Sequence, residues 1–382
     1  MKIVFPYIAQ PHQIPHSFPL AAELASRPGF TIHIACTTDA QETLVRQLLP
    51  LYPQARLQID RLKVNSIGRW LQDRSDEGVP PKSFTLATNR SYFKSFDAAV
   101  VPERTSLVLR KLGLPKLRLI WTNHGAPGRA ITYADDIRHF DFVLLAGVTQ
   151  MQRMLAQGTV RPGHYHTGCY AKFGLVQRLD ARPPHLFDEA RTTVLYNPHF
   201  SAGLGSWPKL GFEVLDFFAA SPDYNLIFAP HIRLFDHHKA ELHQQLDRYR
   251  NIPHIRIDIG STRSIDMSYT QAADIYLGDV SSQVCEFLLR PRPCIFLNAH
   301  HVDWQHSPDY LFWHMGPVLT DVGALPAALA RAQVEHSYWR AAQRNYFSDC
   351  FSTRFRDDGT AEIGDSAVAG ANAIADFLQR PQ

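Results

Sequence analysis

The sequence has almost no excess of charge. Its 39 Lys and Arg are met by 36 Asp and Glu, leaving +3 with histidine neutral. Nucleic-acid binders carry a dense basic patch, so a nucleic-acid partner is set aside. So small an excess still permits loose contact with an anionic membrane. Cysteine is scarce as well. Cys36, Cys169, Cys285, Cys294 and Cys350 are odd in number and no pair has a C-x-x-C spacing, which reads as reduced thiols of a cytosolic protein. No apolar run approaches the roughly 18 residues of a membrane-spanning helix. The first residues, Met1-Lys2-Ile3-Val4-Phe5, enter a strand pattern at once instead of a basic stretch followed by a long apolar one, so no signal peptide is expected. The expected location is cytoplasmic, with a peripheral position on the inner face of the cell membrane left open.

What is present is globular composition, 45% hydrophobic and 20% charged, over 382 residues. That length suits two domains, each with its own core. Short apolar runs at Lys2–Tyr7 and Thr31–Thr37 read as buried strands. They flank a proline- and histidine-rich loop (Pro6–Pro15) and an amphipathic segment (His16–Ser26). Thr38-Asp39 offers a cap for the next helix. Strand–loop–helix–strand is a βαβ unit, which implies a parallel sheet. Further strands are expected at Leu57–Val64, Ala98–Pro102, Leu117–Thr122 and Asp141–Leu145. A second series is expected at Thr193–Tyr196, Asn225–Phe228, Ile255–Ile257, Asp274–Leu277 and Cys294–Leu297. Helical segments at Phe212–Ala220 and His238–Tyr249 lie between them. The stiff stretch Arg182-Pro183-Pro184 separates the series. The expected domains are 1–182, 183–365 and a last alanine-rich helix within 366–382 that returns to the first domain. Two βα series in one chain outline two doubly wound parallel-sheet domains, whose ligands sit outside the carboxyl ends of the strands.

Three segments could carry chemistry. In LGDVSSQVCEFLLRPRPCIFLN a strand gives way to Ser281-Ser282 at the start of a helix, Gln283–Leu289. Free backbone N–H groups and two hydroxyls there suit a phosphate; helix capping by the serines is the alternative. In LIWTNHGAPGR, His124 and Gly125 stand just past a strand end. Histidine suits proton transfer near neutral pH, and Gly125 lets the backbone approach a substrate. A loop histidine without a chemical role is the alternative. In IFAPHIRL, His231 and Arg233 follow a strand and could hold phosphate oxygens. The pairs His237-His238 and His300-His301 lack metal-ligand spacing, since adjacent side chains point apart. No metal is expected.

These segments together resemble the CDP-glycerol glycerophosphotransferase family, enzymes of teichoic-acid-type polymer synthesis within the GT-B superfamily. GDVSSQVCEFLLRPRPCIFLN is similar to that family's Asp-Tyr-Ser-Ser segment, NHGAPGR to its Trp-His-Gly-Thr-Pro-Leu-Lys segment, APHIRL to its Arg-x-His-Pro segment and LYNPHF to its Tyr-Ala-Pro-Thr-Trp segment. Phe355–Gly359, followed by the last helix, resembles its Asp-Gly-containing tail. The segments occur in the family's order. The resemblance implies His124 as the base that deprotonates the acceptor hydroxyl. It implies His231, Ser281 and Ser282 as donor-phosphate contacts, and Glu286 near the ribose or the transferred group. Arg233 joins the donor set. Gly125, Arg129, Asn197, His199 and Asp279 fall at further motif positions of the expected cleft. The sequence departs from the family at Asn123, Pro198-His199, Ile232, Val280 and Glu286, where the transferred group should lie.

The resulting expectation is an α/β protein of GT-B type, two facing Rossmann-like domains with a cleft between them. It would move a glycerol-phosphate or glycosyl group from a nucleotide-activated donor to a hydroxyl of a glycan or lipid-linked glycan acceptor in cell-envelope polysaccharide synthesis. CDP-, UDP- and other nucleotide-linked donors are all open, and no tightly bound cofactor is expected. The alternatives are a strict nucleotide-sugar glycosyltransferase, a UDP-sugar 2-epimerase-like enzyme and a non-catalytic nucleotide-binding module.

Overall fold

A computed structural model describes residues 1–75, 78–122, 124–125, 133–179, 186–235 and 239–380. The chain divides into two compact units. The first comprises Met1–Ala181, Asp349–Thr353 and Ile363–Gln382, and the second Arg182–Ser348 and Arg354–Glu362. The Arg182–Pro184 stretch lies outside the described residues.

In the first unit seven strands form a parallel sheet. They are β1 (Lys2–Tyr7), β2 (Thr31–Cys36), β3 (Leu57–Arg61), β4 (Ala98–Val101), β5 (Arg118–Trp121), β6 (Phe142–Leu144) and β7 (Tyr165–His166). Their order is β3-β2-β1-β4-β5-β6-β7. β1 runs in register with β2 from Lys2↔Thr31 to Tyr7↔Cys36, and with β4 at Ile3↔Ala98. Ile3, Val4 and Phe5 are wholly buried, as are all four residues of β4. A strand covered on both faces needs apolar residues in sequence rather than in alternation, which is why these runs read as strands. The chain steps outward through β2 and β3 and returns beside β1, so a topological switch lies between the carboxyl ends of β1 and β4.

The second unit repeats the plan with six strands: β8 (Thr192–Asn197), β9 (Tyr224–Phe228), β10 (Ile255–Ile257), β11 (Ile275–Gly278), β12 (Cys294–Leu297) and β13 (Val318–Leu319). The order is β10-β9-β8-β11-β12-β13 and every pairing is parallel. The switch point falls between β8 and β11. Both units are Rossmann-like, as the two βα series implied.

Local chemistry sets the element starts. Thr38 opens the helix Asp39–Leu48 through a capping box, its hydroxyl accepting from Gln41 N–H at 3.3 Å while Gln41 Oε1 accepts from Thr38 N–H at 3.1 Å. The helix Ser366–Gln379 is tied to the first unit. Tyr170 N–H donates to Ser366 Oγ at 2.7 Å, Arg118 donates to Leu378 O at 2.8 Å, and Arg178 pairs with both Glu23 and Asp365.

Several details differ from the expectations. The Pro6–Pro15 loop contains a 3₁₀ turn, Pro11–His16, and the helix after Ser282 stops at Phe287 instead of Leu289. β7 and β13 have two residues each, too short to leave a pattern. The 27-residue helix Leu325–Phe351 shows no single apolar stripe, because successive stretches bury different faces. Leu325, Leu329 and Ala332 belong to the second unit's core, Gln343 and Phe347 follow, and Phe351, already in the first unit, meets Tyr170 edge-on and Phe173 at a tilt. Among the described residues no helix is long and apolar enough to cross a membrane.

Candidate functional site

In the second unit the residues singled out from sequence gather at the switch point. β8 ends at Asn197, which pairs with Gly278 at the end of β11. Asn197 is wholly buried. Its Nδ2 donates to Ala229 O at 2.6 Å and its Oδ1 accepts from Tyr276 at 3.4 Å, so it ties the ends of three strands together. Asp279, the next residue along β11's exit, is also buried. Its carboxylate accepts from His199 N–H (2.9 and 3.2 Å), Ser206 N–H (2.6 Å), the Ser206 hydroxyl (2.9 Å) and Val280 N–H (2.6 Å). Burial pushes the Asp279 pKa up, and these hydrogen bonds oppose the shift. The carboxylate folds the 198–206 loop onto β11. Gly205 makes that fold possible, because a Cβ there would stand 2.3 Å from His199 O.

The loop after β9 joins the same assembly. His231 N–H donates to Pro198 O at 3.0 Å. Its Nδ1 accepts from Arg233 N–H at 3.2 Å, which leaves the neutral ring's proton on Nε2. The ring lies 4.7 Å from Phe200 and 5.6 Å from His199, and the Arg233 guanidinium stacks 4.4 Å over Phe200. A ring Nε2–H and a guanidinium in one place can both donate to an oxyanion.

The two serines differ. Ser281 is wholly buried, whereas Ser282 is half-buried at the N-cap of the five-residue helix Gln283–Phe287. The Ser282 side chain makes no capping bond, so its hydroxyl is not committed to the helix. A helix this short has a small dipole, and any phosphate there would rely on the N–H groups and the hydroxyl themselves. Glu286 is buried on the same helix.

Arg292, not singled out from sequence, anchors this segment. It donates to Thr270 O and Phe287 O at 2.8 Å each, to Gln271 O at 3.4 Å and to Ala273 O. The proline-bracketed RPRP turn is the only trace it leaves in the sequence.

In the first unit, β5 leads directly to His124 and Gly125. Gly125 has φ 95°, a left-handed conformation that favours glycine. His124 is solvent-exposed, and its Nδ1 lies 2.6 Å from Pro102 O. A carbonyl only accepts, so Nδ1 carries the proton and Nε2 keeps its lone pair. The protein packed around the ring lowers the His124 pKa. The Pro102 hydrogen bond opposes this, and the Lys82 and Arg104 charges reinforce it. Arg129 and Asn123 lie outside the described residues.

A second group of residues in this unit left little trace in the sequence. His16 follows β1 and Lys172 follows β7, and both are buried. Burial holds the His16 pKa well below its ordinary value, with the charges of Lys172, His124 and His12 acting in the same direction. His16 is thus within electrostatic reach of three other cationic or cationisable side chains. The histidine-rich PHQIPH stretch could have signalled two of them; nothing local marks Lys172. Among the described residues no three His, Cys, Asp or Glu are grouped as a metal site.

No known family model matches the chain, and no curated protein matches its sequence. Solved structures do match. The UDP-bound MnaA of S. aureus aligns with a TM-score of 0.66 at 12% identity, covering 100% of this chain and 99% of its own. The UDP-GlcNAc 2-epimerase of Neisseria meningitidis, bound to UDP-GlcNAc, aligns at 0.61 and 12%, covering 99% of both chains. The wall teichoic acid polymerase TagF aligns at 0.64 and 12%, covering 100% of this chain and 90% of its own. At such identity the likeness establishes the fold, which is GT-B.

Proposed function

We propose that this GT-B protein is an enzyme that transfers a glycerol-phosphate or glycosyl group from a nucleotide-activated donor to a hydroxyl acceptor. The observation that carries the reading is His124. It is exposed, past the carboxyl end of a sheet strand, with Nδ1–H held by Pro102 O and a depressed pKa. A neutral ring with its lone pair on Nε2 is what a general base requires. In the proposed step Nε2 takes the acceptor hydroxyl's proton as its oxygen bonds to the transferred group. The donor's bond to the nucleotide phosphate breaks, and that phosphate leaves with the electron pair. Ser282, His231 and Arg233 of the second unit would stabilise the leaving phosphate, with Ser281 and Glu286 supporting that segment. Likeness to TagF supports a cell-envelope acceptor, a glycan or lipid-linked glycan. The departures at Asn123, Ile232 and Val280 leave CDP- and UDP-linked donors both in view. A cytoplasmic enzyme touching the membrane peripherally fits this acceptor.

A second reading, a nucleotide-sugar 2-epimerase, is supported by the full-length likeness to the Neisseria enzyme. That chemistry moves a proton at a sugar carbon and favours available carboxylates. Asp279 is committed to four groups of its own unit, so of the carboxylates in this segment the epimerase reading would have to rest on Glu286. Incubation with CDP-, UDP-, GDP- and CMP-linked donors separates the two. A transferase releases nucleotide only when an acceptor is present. An epimerase changes the configuration at C2 without one, and that result would displace the transfer reading.

Two further results are expected. The acid limb of the kcat/KM profile should have its midpoint below 6.5, the ordinary histidine value. The folded environment disfavours the imidazolium, so the basic form persists to lower pH and activity is lost only as pH falls through the depressed pKa. A limb at or above 6.5 would point to another base. The serines should separate on single substitution. Ser282→Ala should weaken nucleoside diphosphate binding by about 1.5–3 kcal/mol, the range for a hydrogen bond to a charged group, at unchanged melting temperature. Ser281→Ala should instead lower the melting temperature, since its hydroxyl is wholly buried. Calorimetry and thermal unfolding on both variants decide; unchanged affinity in Ser282→Ala removes it from the donor set.

A further inference from the structure

The first unit contains a cavity of about 780 Å³ that His124 does not line. That volume lies in the range of small-molecule sites, about 300–1,000 Å³. Its walls come from three pieces of chain: the 3₁₀ turn Arg104–Leu107 after β4, the helical turn Val108–Lys111 that continues it, and the 3₁₀ turn Asp135–His139 before β6.

The lining is cationic on one side and apolar on the other. Arg104 is ion-paired with Asp136, the one acid in the lining. Arg110 is ion-paired with Asp141 and donates to Pro115 O at 2.9 Å and Leu117 O at 2.8 Å. Both guanidiniums are therefore fixed in position. Lys111 and His139 are exposed, and among the described residues neither makes a hydrogen bond or an ion pair. Their donors remain to be used. Leu107 and Val108 pack one side against the core and leave the other to the cavity, and Thr105 adds a hydroxyl.

We propose that this cavity binds a small organic phosphate, its phosphate held by Lys111, His139 and Arg104 and its organic part lying on Leu107 and Val108. Three donors of different geometry suit the several oxygens of a phosphate monoester better than the two of a carboxylate. An inorganic ion would fill little of the volume and leave the apolar wall in contact with water. This site goes beyond the transfer reading and does not depend on it.

The full chain is titrated with phenyl phosphate, inorganic phosphate and phenol by calorimetry and ligand-observed NMR. Phenyl phosphate should bind at least tenfold more tightly than either fragment. The doubly substituted Lys111→Met, His139→Gln protein should lose tenfold or more at unchanged melting temperature, because both side chains are exposed. Ser282→Ala should retain the binding, which places it away from the nucleotide segment. Glucose 6-phosphate and a short-chain phosphatidic acid, run as competitors, tell a sugar phosphate from a lipid one by which displaces the probe. The proposal is overturned if phenyl phosphate binds no better than inorganic phosphate, or if the double variant binds as well as wild type. It is equally overturned if Ser282→Ala abolishes the binding while the double variant keeps it. None of these outcomes bears on nucleotide release, so the transfer reading stands or falls separately.

Discussion

His124→Ala is expected to reduce turnover by about 10²–10⁴-fold, the usual contribution of a general base, while donor affinity stays near that of wild type. The separation follows from placement. His124 belongs to the first unit, at the end of β5, whereas the residues assigned to the donor phosphate belong to the second. A base acting on the acceptor matters chiefly in the transition state, so its loss falls on kcat. The cost to stability should stay within about 1 kcal/mol, because the residue is exposed and a hydrogen bond such as that to Pro102 O contributes about that much. If the ring serves only to pin its loop to Pro102, the result inverts: the melting temperature falls and the folded fraction keeps its activity. Turnover, nucleotide affinity and melting temperature measured on one preparation distinguish these. Near-normal turnover would take His124 out of the mechanism.

Much of the fold was legible because a strand buried on both faces must be apolar throughout. The runs KIVFPY, TIHIAC and CIFL have no other economical reading, and the order of strands and helices then dictates two parallel sheets. The Thr38 cap was legible for a similar reason, since its chemistry lies within four residues. What escaped depends on long-range contacts. The helix Leu325–Phe351 turns different faces to different partners and so leaves no periodic stripe. Among the candidate site residues, spacing placed Ser281 and Ser282 at a helix start but could not separate their burial. Spacing likewise marked Asp279 without revealing that its oxygens are taken by the 198–206 loop, 73 or more residues away in sequence. Lys172 and Arg292 are meaningful only through neighbours that the chain brings from elsewhere.

Arg292→Met should lower stability by about 2–4 kcal/mol and weaken nucleotide binding as a consequence. The guanidinium gathers the carbonyls of Thr270, Gln271, Ala273 and Phe287. Thr270 and Gln271 belong to the short helix Ser268–Ala272, Ala273 is its C-cap, and Phe287 ends the short helix Gln283–Phe287 on the other side of β11. Short helices leave their last carbonyls without internal partners, and this side chain supplies donors to both ends at once. Methionine fills similar space but donates nothing. Buried acceptors left unsatisfied cost roughly 1–3 kcal/mol each, and partial access to water at a half-buried residue keeps the sum below the simple total. Burial also pulls the Arg292 pKa down, with the nearby Arg290 charge acting the same way, so the hydrogen bonds must offset a real desolvation cost. The geometric demand is for a fork: one planar group reaching four carbonyls in different directions. Arg292→Lys, with a single ammonium, should therefore recover only part of the loss. Because Ser282 stands at the N-terminal boundary of the second of these helices, a loosened Phe287 end should reach the donor segment as reduced nucleotide affinity. Thermal unfolding of both variants, paired with nucleotide calorimetry well below their melting temperatures, tests the chain of inference. Full recovery in the lysine variant would reduce Arg292 to a point charge, and unaltered affinity in a destabilised methionine variant would disconnect the anchor from the site.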